Sequence, residues 1–129
     1  MTRPTAGQIV VVDWRGGRQP DEPGGLRPAV VVEDDGLFAG VAYRNLLVVP
    51  MTTDARFAEL AGLVERIDPT LENGAERTCW AIAHHVGSVA LTRVRSTQSR
   101  ISNAQLRGVR AKIALAVGVE PGSGRADAA

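Results

Sequence analysis

The chain has 129 residues, of which 44% are hydrophobic and 22% are charged, and its net charge is +1. This length fits one compact domain, and we expect neither a membrane-spanning segment nor a secretion signal, because no apolar run of either kind is found. A single cysteine, Cys79, excludes an internal disulfide, so a reducing, cytoplasmic environment is expected.

The charges are distributed unevenly along the chain. Residues 1–76 carry a net charge of −5, whereas residues 77–119 carry +7 and contain no Asp or Glu. Such a split indicates either a polyanion-binding face or an acidic partner. The alternative is that the acidic half neutralises the basic half across the fold. The basic residues of this stretch are Arg77, Arg93, Arg95, Arg100, Arg107, Arg110 and Lys112.

Strand signals dominate the first three quarters of the chain. Apolar, β-branched runs predict strands over Gln8–Trp14, Arg27–Glu33, Asn45–Thr52 and Gly62–Asp68, and a further buried run over Thr78–Val86. The segment Gly87–Val94 either continues that last run or pairs with it. A long loop rich in Gly and Pro, Arg15–Gly25, joins the first two strands. Asp54 is expected to cap one helical turn over Ala55–Leu60.

One helix is predicted near the C-terminus. Ser102 and Gln105 have the spacing of a capping box, apolar residues then recur at intervals of three and four, and Gly118 fits the end of the helix. Residues 120–129 are small and polar and are expected to form a flexible tail. Several strands followed by one helix predict a mainly β, α+β fold. We expect a small antiparallel barrel with a C-terminal helix, in a single domain over residues 1–119.

Two side chains at predicted strand ends form a candidate phosphate site. Arg27 lies in the sequence LRPAVVV and Thr52 in the sequence VVPMTT, each near a proline that stiffens the backbone. If the two strands are neighbours, the guanidinium and the hydroxyl meet at one rim and can bind a phosphate together. The alternative is that both are ordinary strand-end residues.

The remaining candidates are weaker. His84 and His85 are expected to face opposite sides of a strand, so one of them could act as a general base near a 2′-hydroxyl, or be a half-exposed sheet histidine. Cys79, beside Trp80, is expected to be a buried small side chain. The acidic run 33–35 is expected to be a solvated turn, and no set of converging metal ligands is identified.

The order and spacing of these segments, from about Gly7 to Gly118, resembles the MazF/PemK family of toxin endoribonucleases. The stretches GQIVVVDW, GGLRPAVVVEDD, LLVVPMTTD, LVERID and SRISNAQLRGVRAKIALAVG are similar to successive motifs of that family. The resemblance implies an SH3-like barrel, a homodimer, a cognate antitoxin, and no cofactor or metal. It implies sequence-selective cleavage of single-stranded RNA, either messenger RNA or transfer or ribosomal RNA. The RNA's own 2′-hydroxyl would attack the adjacent phosphate and leave a 2′,3′-cyclic phosphate.

The resemblance also assigns roles to single residues. Arg27 would stabilise the phosphorane and assist proton transfer, and Thr52 would hold the phosphate. RNA contacts are assigned to Arg15, Arg18, Gly25, Thr53, His85 and Arg93. His85 stands where many members carry glutamine and Gly87 where they carry arginine, which implies a changed base preference or a weakened nuclease. Competing interpretations are a non-catalytic nucleic-acid-binding barrel and a toxin of the same fold that acts on a topoisomerase.

Overall fold

The structure of the chain is a computed structural model, which describes residues 3–14, 25–40 and 42–120. Within these ranges the strands are β1 (Gln8–Asp13), β2 (Leu26–Val31), β3 (Asn45–Thr52), β4 (Val64–Ile67), β5 (Cys79–Ile82), β6 (Gly87–Ala90) and β7 (Val94–Arg100). The α-helices are α1 (Asp35–Phe38) and α2 (Asn103–Ala116), and short 3-10 helices cover Ala55–Glu59, Ala83–His85 and Leu91–Arg93. No helix of the described residues has both the length and the apolar character that crossing a bilayer requires.

All strand pairs are antiparallel, and the strands are arranged in the order β4-β5-β3-β2-β1-β7, with β6 also paired to β3. The predicted mainly β, α+β class with a C-terminal helix is confirmed. The predicted barrel is an open sheet, because no pairing between β4 and β7 closes it within the described part of the chain. The extents 1–119 for the domain and 120–129 for the tail stay predictions, and residues 121–129 lie outside the described ranges.

β3 is the central strand. One of its edges pairs with β2, and its other edge pairs first with β6 and then with β5. The register changes between β5 and β6 because the 3-10 helix Ala83–His85 lies between them. β6 therefore continues the line of β5 along β3 after a short interruption, which is the first of the two arrangements that the sequence allowed for Gly87–Val94.

Buried side chains form two clusters, one on each face of the sheet. The first cluster lies beneath α2 and includes Ile9, Val30, Val49, Met51, Ile67, Cys79, Ala81, Leu106 and Val109. The second cluster lies on the other face and comprises Val10, Val12, Ala29, Val31, Leu46, Val48 and Val89. Neighbouring residues of a strand point to opposite faces. Strands buried on both faces therefore appear in the sequence as continuous apolar runs, which is the pattern of β2 and β3.

Helix α2 covers the first cluster with Leu106 and Val109. Its predicted capping box is present, since the Ser102 hydroxyl accepts the Gln105 amide at 3.0 Å and the Gln105 side chain accepts the Ser102 amide at 2.8 Å. Gly118 follows the helix with a φ of 88°, a left-handed conformation that favours glycine. The sequence signals that begin and end this helix are therefore both confirmed.

The acidic run 33–35 is not a uniformly solvated turn. Glu33 is only 3% exposed, and its carboxylate accepts two hydrogen bonds from the Arg3 guanidinium, at 2.8 and 3.0 Å. It also accepts the Leu47 amide at 3.1 Å. Asp34 caps the N-terminus of α1 by accepting the Leu37 amide. The prediction was wrong for Glu33 because its partner lies 30 residues away in the sequence.

The two histidines also differ from the prediction. His84 and His85 belong to the 3-10 helix Ala83–His85 rather than to a strand, so they do not alternate between two faces. Their ring centroids are 4.5 Å apart. Cys79 is buried, as predicted, and burial raises the pKa of its thiol, which keeps it protonated and unreactive.

Candidate functional site

β2 and β3 bring Arg27 and Thr52 to matching positions. The two strands are antiparallel, and the pair Ala29–Pro50 is the last one towards this end of the sheet. The same register continued by two residues aligns Arg27 with Thr52. Because Pro28 and Pro50 lack an N–H donor, the hydrogen-bonded ladder between the strands cannot continue normally here.

Each of these two residues stays paired on its other side. Arg27 is opposite Val12 of β1, and Thr52 is opposite Trp80 of β5. Arg27 and Thr52 therefore flank the point where β2 and β3 separate. Arg27 is exposed and Thr52 is half-buried, so both can be reached from solvent.

Both side chains project to the same face of the sheet. On β2, Ala29 and Val31 belong to the second cluster. Arg27 lies two residues before Ala29, so its side chain points to the same face as theirs. On β3, Val48 belongs to the second cluster. Thr52 lies four residues after Val48, so its side chain also points to that face. The guanidinium and the hydroxyl are thus on one side at the rim, which is the arrangement that the candidate phosphate site requires.

The backbone after Thr52 is held by a short chain of hydrogen bonds. The Thr52 hydroxyl oxygen accepts the Asp54 amide at 3.1 Å, which leaves the hydroxyl proton to be donated. Asp54 caps the 3-10 helix Ala55–Glu59, confirming the predicted cap, and accepts from the Arg56 amide and guanidinium. The Arg56 side chain lowers the pKa of the Asp54 carboxyl below its usual range. These bonds fix the position of the Thr52 hydroxyl.

Among the residues to which the sequence assigned RNA contacts, Gly25 and Thr53 lie next to this rim. Gly25 has a φ of 67°, and its carbonyl oxygen accepts the Trp14 amide at 2.9 Å. The glycine is therefore required by its backbone conformation, whatever else approaches it. Thr53 is exposed and directly follows Thr52. Arg15 and Arg18 lie outside the described residues.

Arg93 and His85 have other surroundings. The Arg93 Nε donates to the carbonyl oxygen of Asp13 at 2.8 Å, which ties the end of β1 to the start of β7. His85 makes an edge-on contact with Phe57, and its 3-10 helix contacts α2. The RNA contact assigned to His85 stays a prediction.

Much of the basic stretch 77–119 is engaged within the fold. Lys112 pairs with Glu65 at 2.7 Å, and Arg110 donates to the carbonyl oxygens of residues 32 and 33. Arg100 donates to the Ala6 carbonyl oxygen at 2.7 Å. Together with Arg93, these contacts use four of the seven basic side chains. Of these contacts, only the Lys112–Glu65 pair neutralises an acidic side chain of the first half, so neutralisation across the fold is observed at that pair. The polyanion-binding face stays a prediction.

Two residues near the rim were not singled out from the sequence. Trp80 is directly opposite Thr52, and Arg66 is directly opposite Trp80 on the next strand. The sequence signal that could have identified Trp80 is its place between Cys79 and Ala81. Because both neighbours belong to the core, alternation along the strand puts Trp80 on the face opposite to theirs. In the described residues, no three His, Cys, Asp or Glu side chains lie close enough together to hold a metal ion.

The antiparallel sheet with a single packed C-terminal helix defines a small α+β protein, and the exposed Arg27 and the half-buried Thr52 at one rim remain its candidate anion site. Residues 5–117 match the family described as PemK-like, MazF-like toxin of type II toxin–antitoxin system, and the chain belongs to this family.

Solved structures give the same fold at low sequence identity. A crystal structure of MazF from Deinococcus radiodurans is 21% identical with a TM-score of 0.66, and the match covers 90% of this chain and 97% of that one. The Mycobacterium tuberculosis toxin MazF-mt6 is 15% identical with a TM-score of 0.65, covering 88% and 98%. An endoribonuclease in complex with its cognate antitoxin, from a mycobacterial species, is 14% identical with a TM-score of 0.60, covering 92% and 97%.

Proposed function

We propose that this protein is a toxin that cleaves single-stranded RNA at selected sequences. The observation that carries the proposal is the alignment of Arg27 with Thr52 on one face, at the point where β2 and β3 separate. Membership of the toxin family supports the reaction class, and one solved structure of this fold is described as an endoribonuclease with its antitoxin. A cognate antitoxin, a homodimeric state and action in the cytoplasm are parts of the same proposal.

The nucleophile of the reaction is a hydroxyl group of the RNA itself. The 2′-hydroxyl loses its proton as its oxygen forms a bond to the adjacent phosphorus, and the bond from phosphorus to the 5′-oxygen breaks. The leaving 5′-oxygen takes up a proton. The products are a 2′,3′-cyclic phosphate and a 5′-hydroxyl.

Arg27 and Thr52 would act on the phosphate. Negative charge builds up on its non-bridging oxygens as the 2′-oxygen attacks, so a fixed donor aimed at them stabilises the transition state more than the ground state. A guanidinium offers two parallel N–H donors to such oxygens. Because the Thr52 oxygen already accepts the Asp54 amide, its hydroxyl proton would be the part that it offers to the phosphate.

The other contacts in the proposal surround this pair. Gly25 and Thr53 are adjacent to the rim, and Arg15 and Arg18 belong to the segment between β1 and β2. Arg93 would contribute positive charge near the end of β1, and His85 would contact a base at the interruption between β5 and β6. Of these, Gly25 and Thr53 have the most direct support from their position.

The test is incubation of the purified protein with a long single-stranded RNA in the presence of a metal chelator. We expect discrete fragments that end in a 2′,3′-cyclic phosphate, and none when the Arg27→Ala variant replaces the wild type. Equal cleavage by both proteins would indicate a contaminating nuclease or a different site. RNA binding without any cleavage would contradict the enzyme and favour a binding protein.

The departure at Gly87 can be tested directly. A Cβ placed on Gly87 would lie 3.8 Å from the His85 carbonyl oxygen, an ordinary contact distance, so the backbone here accepts a Cβ. Gly87→Arg would restore the residue that the resemblance leads one to expect. If the wild type is a weakened nuclease, this variant should cleave faster than the wild type. Unchanged cleavage would show that the arginine is dispensable.

A further inference from the structure

The face that carries Arg27 and Thr52 continues across two more strands. Thr52 pairs with Trp80 on β5, and Trp80 pairs with Arg66 on β4. Cys79, Ala81 and Ile67 belong to the first cluster. Because neighbouring residues of a strand alternate, Trp80 and Arg66 project to the other face, which is that of Arg27 and Thr52. These four residues, at successive positions on four adjacent strands, are called the cross-strand row below.

Trp80 is only half-buried, and its side chain lines an open groove of about 380 Å³. Arg66 lines the same groove together with Ala58, Ala61 and Val64, and the groove extends around the edge strand β4 to the Glu65–Lys112 ion pair beside α2. Ligand-binding clefts in proteins have volumes of about 300–1,000 Å³. An aromatic ring and a cation therefore stand in a groove that is large enough for a planar base.

Arg66 is held loosely. Its Nε donates to the Asp68 carboxylate at 2.9 Å, but the two side chains are 67% and 61% exposed. An ion pair at this exposure contributes little to stability, so the guanidinium can exchange the carboxylate for a phosphate at small cost. Arg66 can therefore serve as a cation for a ligand.

The spacing of the cross-strand row fits a nucleic acid strand. Adjacent strands of a sheet are about 4.8 Å apart, so the ring of Trp80 lies one strand away from the hydroxyl of Thr52. Single-stranded nucleic acids bind where a basic groove follows the backbone and aromatic rings stack on the bases. The row supplies phosphate donors, a ring and a further cation in that order.

We propose that Trp80 and Arg66 form a nucleotide-binding subsite, in which Trp80 stacks on the base next to the cleaved phosphate and Arg66 pairs with the following phosphate. The nature of the ligand rests on the proposed function. Stacking on a ring accepts any base, so this subsite holds the strand in place, and contacts elsewhere select the sequence.

The first experiment uses tryptophan fluorescence. The chain contains two tryptophans, so the Trp14→Phe variant leaves Trp80 as the only emitter. A mixed-sequence single-stranded DNA oligonucleotide, which lacks the 2′-hydroxyl and is not cleaved, is the probe. We expect Trp80 emission to be quenched over the concentration range in which a labelled oligonucleotide binds. The Trp80→Phe variant, in which only Trp14 emits, should show little change. Binding without any change in Trp80 emission would overturn the subsite.

The second experiment uses variants of the subsite. Trp80→Leu should weaken oligonucleotide affinity and raise the KM for RNA by about 5- to 100-fold, with a smaller effect on kcat. Trp80→Phe should keep most of the affinity and controls for any loss of folding. Arg66→Gln should reduce the slope of log affinity against log salt by about one. Arg107→Gln on α2 is the charge-matched control and should reduce it less.

The outcomes separate the subsite from the proposed function. If the wild type cleaves RNA and Trp80→Leu binds and cleaves equally well, the subsite is wrong and the function stands. If oligonucleotides quench Trp80 but no RNA is cleaved, the function is wrong and the subsite stands. Absence of oligonucleotide binding overturns the subsite, and absence of both binding and RNA cleavage overturns the function as well. Quenching by an acidic extended peptide, but not by oligonucleotides, would show a peptide site and overturn the subsite.

Discussion

The carboxylate of Glu65 occupies the space that a side chain at Gly108 would fill. A Cβ at position 108 would lie 2.7 Å from the Glu65 Cδ and 3.0 Å from its Oε2, and closer still to its Oε1. The same carboxylate accepts a hydrogen bond from Lys112, one turn further along α2, at 2.7 Å. A glycine inside the helix thus allows the ion pair that fastens α2 to β4.

Gly108→Ala should therefore stabilise the protein by less than the usual advantage of alanine over glycine in a helix interior, about 0.5–1 kcal/mol, because the Glu65 carboxylate must move aside. The added methyl displaces the Glu65 carboxylate and weakens its bond to Lys112. In a Glu65→Ala background the obstacle is absent, and the same substitution should raise the melting temperature by more. Thermal unfolding of the four proteins of this double-mutant cycle measures the coupling. Additive effects would contradict the close contact.

Arg27 should be needed for cleavage and not for folding. Removing one preorganised donor to a developing oxyanion typically costs about 10²–10³ in rate. Arg27→Ala should abolish detectable cleavage and Arg27→Lys should leave it severely impaired, because a lysine ammonium is a point charge. The melting temperature should change little, since Arg27 is exposed. Cleavage rate, RNA affinity and melting temperature are compared with those of Arg107→Ala. Near wild-type cleavage by Arg27→Lys would refute the two-donor role.

Thr52 should act through its hydroxyl. Thr52→Val keeps the branched shape but removes both the proposed donor to the phosphate and the acceptor of the Asp54 amide. We expect cleavage to fall by at least tenfold, with a loss of about 1 kcal/mol in the free energy of unfolding. Thr52→Ser should restore most of both. Cleavage by Thr52→Val at the wild-type rate would remove Thr52 from the site.

Glu33 and Arg3 should be coupled strongly. The Glu33 side chain is 2% exposed and that of Arg3 22%. Removing Glu33 therefore leaves the Arg3 charge without its carboxylate, bonded to the carbonyl oxygens of Tyr43 and Asn45. Glu33→Ala should lower the free energy of unfolding by about 3–5 kcal/mol. The double variant Arg3→Met, Glu33→Leu should be much less destabilised, because no isolated charge remains. Chemical denaturation of both variants tests this, and equal destabilisation would contradict the coupling.

The Asp68 carboxyl should contribute to stability in a defined pH range. The Thr78 hydroxyl, and then the Arg66 guanidinium, lower its pKa below the usual value. A carboxyl whose pKa is lower in the folded state stabilises the fold above its unfolded pKa of about 4, and the contribution is lost as pH falls through the lowered pKa. The difference in free energy of unfolding between wild type and Asp68→Asn should therefore be constant near neutral pH and shrink in acid. A difference that does not depend on pH would contradict the shift.

Local sequence patterns predicted the strands and the helix well, but they did not predict which strands become neighbours. β3 has the predicted bounds, Asn45–Thr52, because a continuous apolar run between polar segments marks a buried strand. The helix was predicted from its capping box and its glycine stop, which act within one turn. The Arg3–Glu33 pair and the row through Trp80 depend instead on which strands become neighbours, and no local pattern encodes that.

Arg27 and Thr52 show the same difference between what local patterns predict and what depends on strand pairing. Each was found from its place at a strand end, and their meeting was predicted only on the condition that the strands are adjacent. The structure supplies that adjacency through the β2–β3 register. The surroundings of His85 could not be predicted, because an apolar run that includes a 3-10 turn has the same composition as a strand.

The pairing of β3 with strands from later in the chain has a consequence for synthesis on the ribosome. β3 carries Thr52 and lies between β2 on one edge and β5 and β6 on the other, and β1 is bordered by β7. The partners β5, β6 and β7 are translated only after residue 78, so an emerging chain that already contains both rim residues still lacks half of the sheet that holds them. The rim therefore forms late. Premature termination before β5 therefore yields a fragment that has both residues but lacks the strands β5 and β6 that border β3.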